Sequence, residues 1–472
     1  MLEQALDKLR TYLRELKPEA RALLLAELER AASRGEELPG GDFILQELRR
    51  DLRTNQADVS PLVGRTGTPA RTFFVPLEPF LVDDGPEQVH RGRVARAALE
   101  PVWQWICRDL MPSEATAYSD QITKVLITND RMTSERLAHA FQDLAAERIR
   151  QALAATDGDV KARQRLNGQV GIPRALDHLR EIGAILRARE ALAVFASRLP
   201  PQIKNLADDQ LDNVKALLDS PIGVHPDVFT YALILVMGRL AAPWQLVRLA
   251  ILAAASDVAT KVSGTPYAVA VSIVLGEMER ILGLLRDHVK RGQFRAASDM
   301  LKDIYDAARI LRTEMDLSSD SPWARQLTSI RSEVSRLVEH EIDTVPGRVR
   351  RLLRPRKPSE IEPGAVLDPS EVEETEALIE FASVCRNYAS ELAINEVTLR
   401  VQSDLQNYLE TGTSPLLDGL RGVDENHRAY RLSQVDATVR FAGKVFGPSY
   451  AALLAKAAEV AAQVGDRKAA KA

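Results

Sequence analysis

Cysteine, histidine, aromatic residues and long apolar runs are all scarce in this chain of 472 residues. The two cysteines, Cys107 and Cys385, lie far apart, which excludes a disulfide framework and a thiolate metal cluster and fits a reducing compartment. A membrane-spanning helix needs about 20 consecutive, mainly apolar residues. The most apolar region, 228–285, is interrupted by Arg239, Arg248, Asp257 and Lys261, and its uncharged run 262–276 contains the break Ser263-Gly264-Thr265-Pro266. Charge of one sign is also missing: 62 Lys and Arg against 66 Asp and Glu leave no overall field to draw the chain onto nucleic acid or an anionic bilayer, so any such contact must be local.

The motifs that carry common chemistries are absent too. There is no phosphate-binding G-x-x-x-x-G-K-[ST], no G-x-G-x-x-G and no G-x-S-x-G. Gly64-Arg65-Thr66-Gly67-Thr68 lacks the lysine of a phosphate loop, and Asp157-Gly158-Asp159 lacks the further oxygen ligands of a calcium loop. Glu87 and Asp424 precede His90 and His427 by three residues, without the second carboxylate helix of a di-metal bundle. No catalytic residue, cofactor ligand or metal ligand is therefore nominated. Residues 1–16 are amphipathic and charged from Glu3, unlike a secretory signal, and arginine outnumbers lysine several-fold, as in GC-rich coding. A soluble protein of the bacterial cytoplasm is expected.

What the chain does have is helical periodicity. Proline and glycine fall between long stretches with apolar residues at helical spacing, and Pro18, Pro173, Pro243, Pro322, Pro369 and Pro448 each stand near the start of one. The expected fold is all-α: a multi-helix bundle or helical-hairpin array with an extended aromatic strap and a C-terminal helical bundle. Its expected parts are an N-terminal helical arm (1–54), a Pro- and Phe-rich strap (55–91), a central helical core (92–345), a basic Pro-rich linker (346–370) and a C-terminal bundle (371–472). Gly292, Phe294, Ala297 and Leu301 have the spacing of one tetratricopeptide-like hairpin, but no second copy lies about 34 residues to either side. No repeat array is read from it.

Three groups of residues stand out as recognition candidates. Leu2, Leu6, Leu9, Leu13 and Leu16 recur at steps of four and three, the seam of a coiled coil, which would close on the next helix as a hairpin or join a second copy in a homo-oligomer. Phe73, Phe74 and Phe80 on the strap, and Trp103 and Trp105 on a helix expected over 88–110, concentrate a scarce residue class. Two tryptophans two residues apart project about 200° apart around a helix, so both are buried only if the strap or a partner covers one side. Arg91, Arg93, Arg96 and Arg108 flank that helix without forming one stripe.

The third group is the basic block Arg348, Arg350, Arg351, Arg354, Arg356 and Lys357, with no acidic residue before Glu360 and no aromatic residue interleaved. It is suited to anionic phosphate, either as nucleic acid or as a membrane surface, or else pairs with the acidic start of the following helix. The leading expectation is a non-catalytic scaffold or adaptor that binds protein partners through the leucine seam and the aromatic region. The alternative is peripheral binding to an anionic membrane or nucleic acid through the basic block. An all-helical enzyme without a recognisable motif is third.

Overall fold

The computed structural model describes residues 68–469 apart from 129, 363, 423 and 424, and before them 9, 12–13, 16, 18–33, 40–41, 44–45 and 47–48. The fold is all-α, with one two-residue parallel strand pair among the described residues. The chain divides into two compact units, Met1–Glu277 and Met278–Ala472. The stretch 346–370, expected as a linker, lies inside the second unit.

At the N-terminal end, α1 (Pro18–Ser33) supplies Leu25 and Leu28 to a small apolar cluster with Leu13, Leu45 and Leu48, against which Leu9, Leu16, Leu24 and Ile44 pack. The leucine seam thus closes on its own neighbours. Leu2 and Leu6 lie outside the described residues.

Of the strap expected over 55–91, residues 55–67 lie outside the described residues. The described part opens not as extended chain but as α2 (Pro69–Phe74), because Thr68 accepts a hydrogen bond from the Arg71 amide (3.1 Å) and Pro69 occupies the first turn. A tight 3-10 turn over Val75–Phe80 follows, and β1 (Leu81–Val82) then pairs in parallel with β2 (Val94–Ala95). The tryptophan helix is correspondingly shorter than expected: α3 spans Leu99–Trp105 and runs into a π turn at Ile106–Leu110.

The first unit continues through α4 (Pro112–Thr128), α5 (Arg131–Ala154), α6 (Val160–Val170), α7 (Ala175–Arg198), α8 (Asp208–Leu218), α9 (Pro226–Arg239), α10 (Val247–Ala254) and α11 (Ala259–Ser263). Helices α5 and α7 form its centre, with Ile149, Leu179, Ile182 and Leu186 fully buried. Their close approach depends on Gly183, where a Cβ would stand 3.1 Å from the Ile149 methyl. Burying such side chains stabilises by about 1.5–3 kcal/mol each. The division of the chain falls in α12 (Ala268–Lys290).

The second unit contains α13 (Phe294–Glu314), α14 (Pro322–Ile342), α15 (Val345–Leu353), α16 (Pro369–Asn387), α17 (Ala389–Leu392), α18 (Asn395–Leu420), α19 (Glu425–Phe446) and α20 (Pro448–Ala469). Helices α16, α18 and α19 pack mutually around Phe381, Leu405 and Phe441, all at or near zero exposure. The acidic first turn at Glu371, Glu373 and Glu374 and the apolar spacing after it predict one long helix reaching about Leu409; instead α16 ends at Asn387, and the short α17 is closed by Ala393, whose backbone is left-handed (φ 58°). Helix α18 then passes straight through Pro415, and the Thr411 hydroxyl donates back to the Asn407 carbonyl (2.7 Å) one turn before it.

Candidate anion-binding cleft

The basic block is built on a helix that the sequence analysis took for irregular linker. In α15 the side chains of Val345, Val349, Leu352 and Leu353 are buried, the i, i+4, i+7, i+8 pattern of one apolar face, and they seat the helix on α16, α18 and α19. Arg350 and Arg351 project to solvent from the other side. The helix stops at Arg354 (φ −57°, ψ 124°) because Pro355 disfavours helical backbone in the residue before it. Lys357, which precedes Pro358, is extended for the same reason (ψ 151°). A 3-10 turn over Pro358–Glu360 then brings Glu360 back, where its carboxylate accepts from the Lys357 amide (3.4 Å).

A helix C-terminus leaves carbonyls without partners. Two of them are served here by one buried amide: Gln434 of α19 donates from Nε2 to the carbonyls of Leu352 (3.0 Å) and Arg354 (3.1 Å). The backbone under the arginines is thereby fixed to the bundle.

The six basic residues divide by partner. Arg348 pairs with Glu374 (3.0 Å) and Arg351 with Glu371, both at the N-terminal end of α16. The guanidinium of Arg350 lies over the ring of Tyr408 (6.0 Å to the centroid) and that of Arg356 over Tyr430 (5.4 Å). Among the described residues, no carboxylate pairs with Arg350, Arg354, Arg356 or Lys357, and all four are exposed. Arg350, Arg351, Arg354, Arg356 and Glu360 line one cleft of about 540 Å³. Its lining is four positive charges against one negative. Burial raises the phenol of Tyr430 above its ordinary value and Arg356 pulls the other way; Tyr408 is raised by burial against Arg350 in the same manner. Both rings act as neutral π faces.

The aromatic candidates are placed differently. Phe73 is fully buried, Phe74, Phe80 and Trp105 are at most 5% exposed and Trp103 is 8% exposed. Phe73 meets Trp103 and Phe141 at 5.4 Å, and Tyr118 stacks on Phe141 at 4.4 Å. The Phe73 carbonyl accepts from buried Gln142 (2.8 Å). Phe73 and Phe74 of the strap pack on Trp103, and all five side chains are buried. Leu13 is buried and Leu9 half-buried in the leucine cluster. Three of the four flanking arginines are engaged as well: Arg93 donates to the Pro79 carbonyl (3.1 Å), Arg96 to Glu78 and Asp83 (3.2 Å each), and Arg108 to Asp109 (2.6 Å) and the Gln169 carbonyl (2.9 Å), while Arg91 is exposed.

Sequence reasoning located the basic block and missed Tyr408, Tyr430 and Gln434, which complete it. Aromatic residues do accompany these arginines, but from helices more than 50 residues away in sequence. No local pattern marks them. Among the described residues, no three His, Cys, Asp or Glu side chains stand together in a way that would hold a metal ion, and no helix is long and apolar enough to cross a membrane. Compared with known proteins, the chain matches no family model, no curated protein and no solved structure. The cleft is therefore read from its own chemistry.

Proposed function

We propose that this protein is a non-catalytic helical scaffold that recognises an anionic group on its partner through the arginine cleft of the second unit. One observation carries the reading: Arg354 and Arg356, exposed and without carboxylate partners, converge with Arg350 and Arg351 on one cleft whose backbone is pinned by Gln434. Guanidinium groups are donors only and do not exchange protons near neutral pH, so they bind rather than react. The single carboxylate of the lining, Glu360, has no second acid or base beside it in the cleft with which to divide general acid and base roles. A partner surface made from the aromatics and from Leu9 and Leu13 is not favoured, since those side chains already pack into cores.

The test is retention of the full chain on immobilised heparin, comparing wild type with an Arg354→Gln/Arg356→Gln variant. The expected result is retention that weakens roughly tenfold between about 50 and about 200 mM salt, as a few charge contacts require, and that the variant largely loses. Equal retention of both proteins, with both folded by circular dichroism, would overturn the proposal.

A further inference from the structure

Resting on the reading above, the cleft also carries information about which anion it takes. The five residues of its lining are four arginines and one glutamate. Its volume of about 540 Å³ falls within the roughly 300–1,000 Å³ of small-molecule sites. The guanidinium carbons of Arg350 and Arg356 lie 6.0 and 5.4 Å from tyrosine ring centroids, a cation–π contact, while their N–H groups stay unpaired to carboxylate among the described residues. An arginine held beside a ring loses less side-chain freedom when it binds, and its fork matches two oxygens of one phosphate.

The same stacking argues against nucleic acid. Single strands are held by bases stacked on aromatic faces, and here Arg350 lies over Tyr408 while Tyr430 is 4% exposed and carries Arg356. The surroundings argue against any broad polyanionic surface. Glu371 and Glu374 on the neighbouring end of α16 are paired with Arg351 and Arg348, but exposed Glu373 stands beside them and Glu360 in the cleft itself. A duplex backbone or a flat anionic bilayer laid over Arg354 and Arg356 would meet those carboxylates, and like charges at an interface discriminate against the partner that brings them. A compact ligand with concentrated charge avoids them.

We infer that the cleft binds a compact oligophosphate, two or more linked or adjacent phosphate groups, either as a free molecule or as the headgroup of a lipid. Arg354 and Arg356 clamp the phosphates, with Arg350 and Arg351 completing the cage, and Glu360 rejects monoanions that cannot outweigh its repulsion.

The experiment is calorimetric titration of the full chain with tripolyphosphate, pyrophosphate, orthophosphate and citrate in magnesium-free buffer. Tripolyphosphate is expected to bind one per chain, at least about tenfold tighter than orthophosphate or citrate. Arg354→Gln and Arg356→Gln should each weaken it by roughly tenfold or more, the size of a charge-assisted hydrogen bond. Glu360→Gln should tighten it, and Tyr408→Leu should weaken it without unfolding the chain. Citrate or orthophosphate binding as tightly as tripolyphosphate would overturn the inference, because the cleft would then read charge alone. No tripolyphosphate binding, with arginine-dependent heparin retention intact, would overturn it while leaving anion recognition standing; loss of both would overturn both. A vesicle arm separates the sources. Arginine-dependent binding to vesicles carrying phosphatidylinositol bisphosphate, displaced by tripolyphosphate, assigns the phosphates to a lipid. Equal binding to vesicles of phosphatidylglycerol alone counts against the inference.

Discussion

Replacing Gln434 with Met tests how the cleft is held. The substitution keeps the length of a side chain that is 3% exposed and removes the two donors to the Leu352 and Arg354 carbonyls, at 3.0 and 3.1 Å. A typical hydrogen bond contributes about 1 kcal/mol net, and a carbonyl left dry costs about 1–3 kcal/mol. The two together therefore amount to about 2 kcal/mol if water reaches both carbonyls and about 4 kcal/mol if it reaches neither. A loss of about 2 kcal/mol multiplies the population of locally opened states by roughly thirty, since 1.4 kcal/mol is a factor of ten. Hydrogen exchange read by mass spectrometry on a peptide covering 345–360 should accelerate by about that factor in the variant, while peptides from α5 and α7 in the first unit stay unchanged. Tripolyphosphate affinity should fall with it, because the arginine backbone is no longer fixed. Exchange of that peptide within about twofold of wild type would refute the reasoning.

Three further outcomes are expected. Trp103→Ala, at the ring cluster with Phe73, Tyr118 and Phe141, should destabilise the first unit by about 3–5 kcal/mol in urea unfolding followed by near-ultraviolet dichroism, and a loss below about 1 kcal/mol would show that the cluster is not core. Burial raises the Asp219 carboxyl, but hydrogen bonds from Lys215 (2.5 Å) and Tyr267 (2.7 Å) outweigh it and leave the group below its ordinary value. Its contribution is present above the unfolded value and fades as pH falls through the lowered one, so the stability gap between wild type and Asp219→Asn should narrow below about pH 4; a gap that widens there contradicts the assignment. Burial pushes the Cys385 thiol far up, and burial and Glu100 raise Cys107. Ellman's reagent at neutral pH should therefore label Cys385 only on unfolding, and prompt reaction of two thiols per native chain would contradict its burial.

Much of the helical pattern was legible because period and punctuation agree. Helices α4, α5, α7, α8, α13 and α14 lie within a few residues of the spans 113–126, 134–154, 174–199, 209–218, 293–315 and 323–344 that apolar spacing and polar breaks predict, whereas α6 falls in a stretch where no helix is expected. The failures have local causes. Five prolines made 345–370 look irregular, yet Val345, Val349, Leu352 and Leu353 already carried a helical face, and Pro346 sits at a helix start where its missing N–H costs nothing. Thr68-Pro69 falls in the stretch expected to be extended or in turns, although Thr-Pro is equally a cap and first turn. The break before α18 has no sequence mark, since Ala393 adopts a left-handed backbone that glycine would ordinarily signal.

The site divides the same way. Its charge is contiguous in sequence and was readable, whereas Tyr408, Tyr430 and Gln434 become its neighbours only when α18 and α19 pack on α15. The aromatic candidates erred in the opposite direction. Rarity made Phe73, Trp103 and Trp105 conspicuous, but the physics of large apolar rings puts them inside.

The most direct test is residue-resolved arginine modification with phenylglyoxal, with and without tripolyphosphate, read by peptide mass spectrometry. Ligand should protect Arg354 and Arg356 several-fold, while exposed arginines outside the cleft, such as Arg163 and Arg180, react at the same rate in both samples. Modification of Arg354 and Arg356 at rates indifferent to the ligand would contradict the assignment of the cleft.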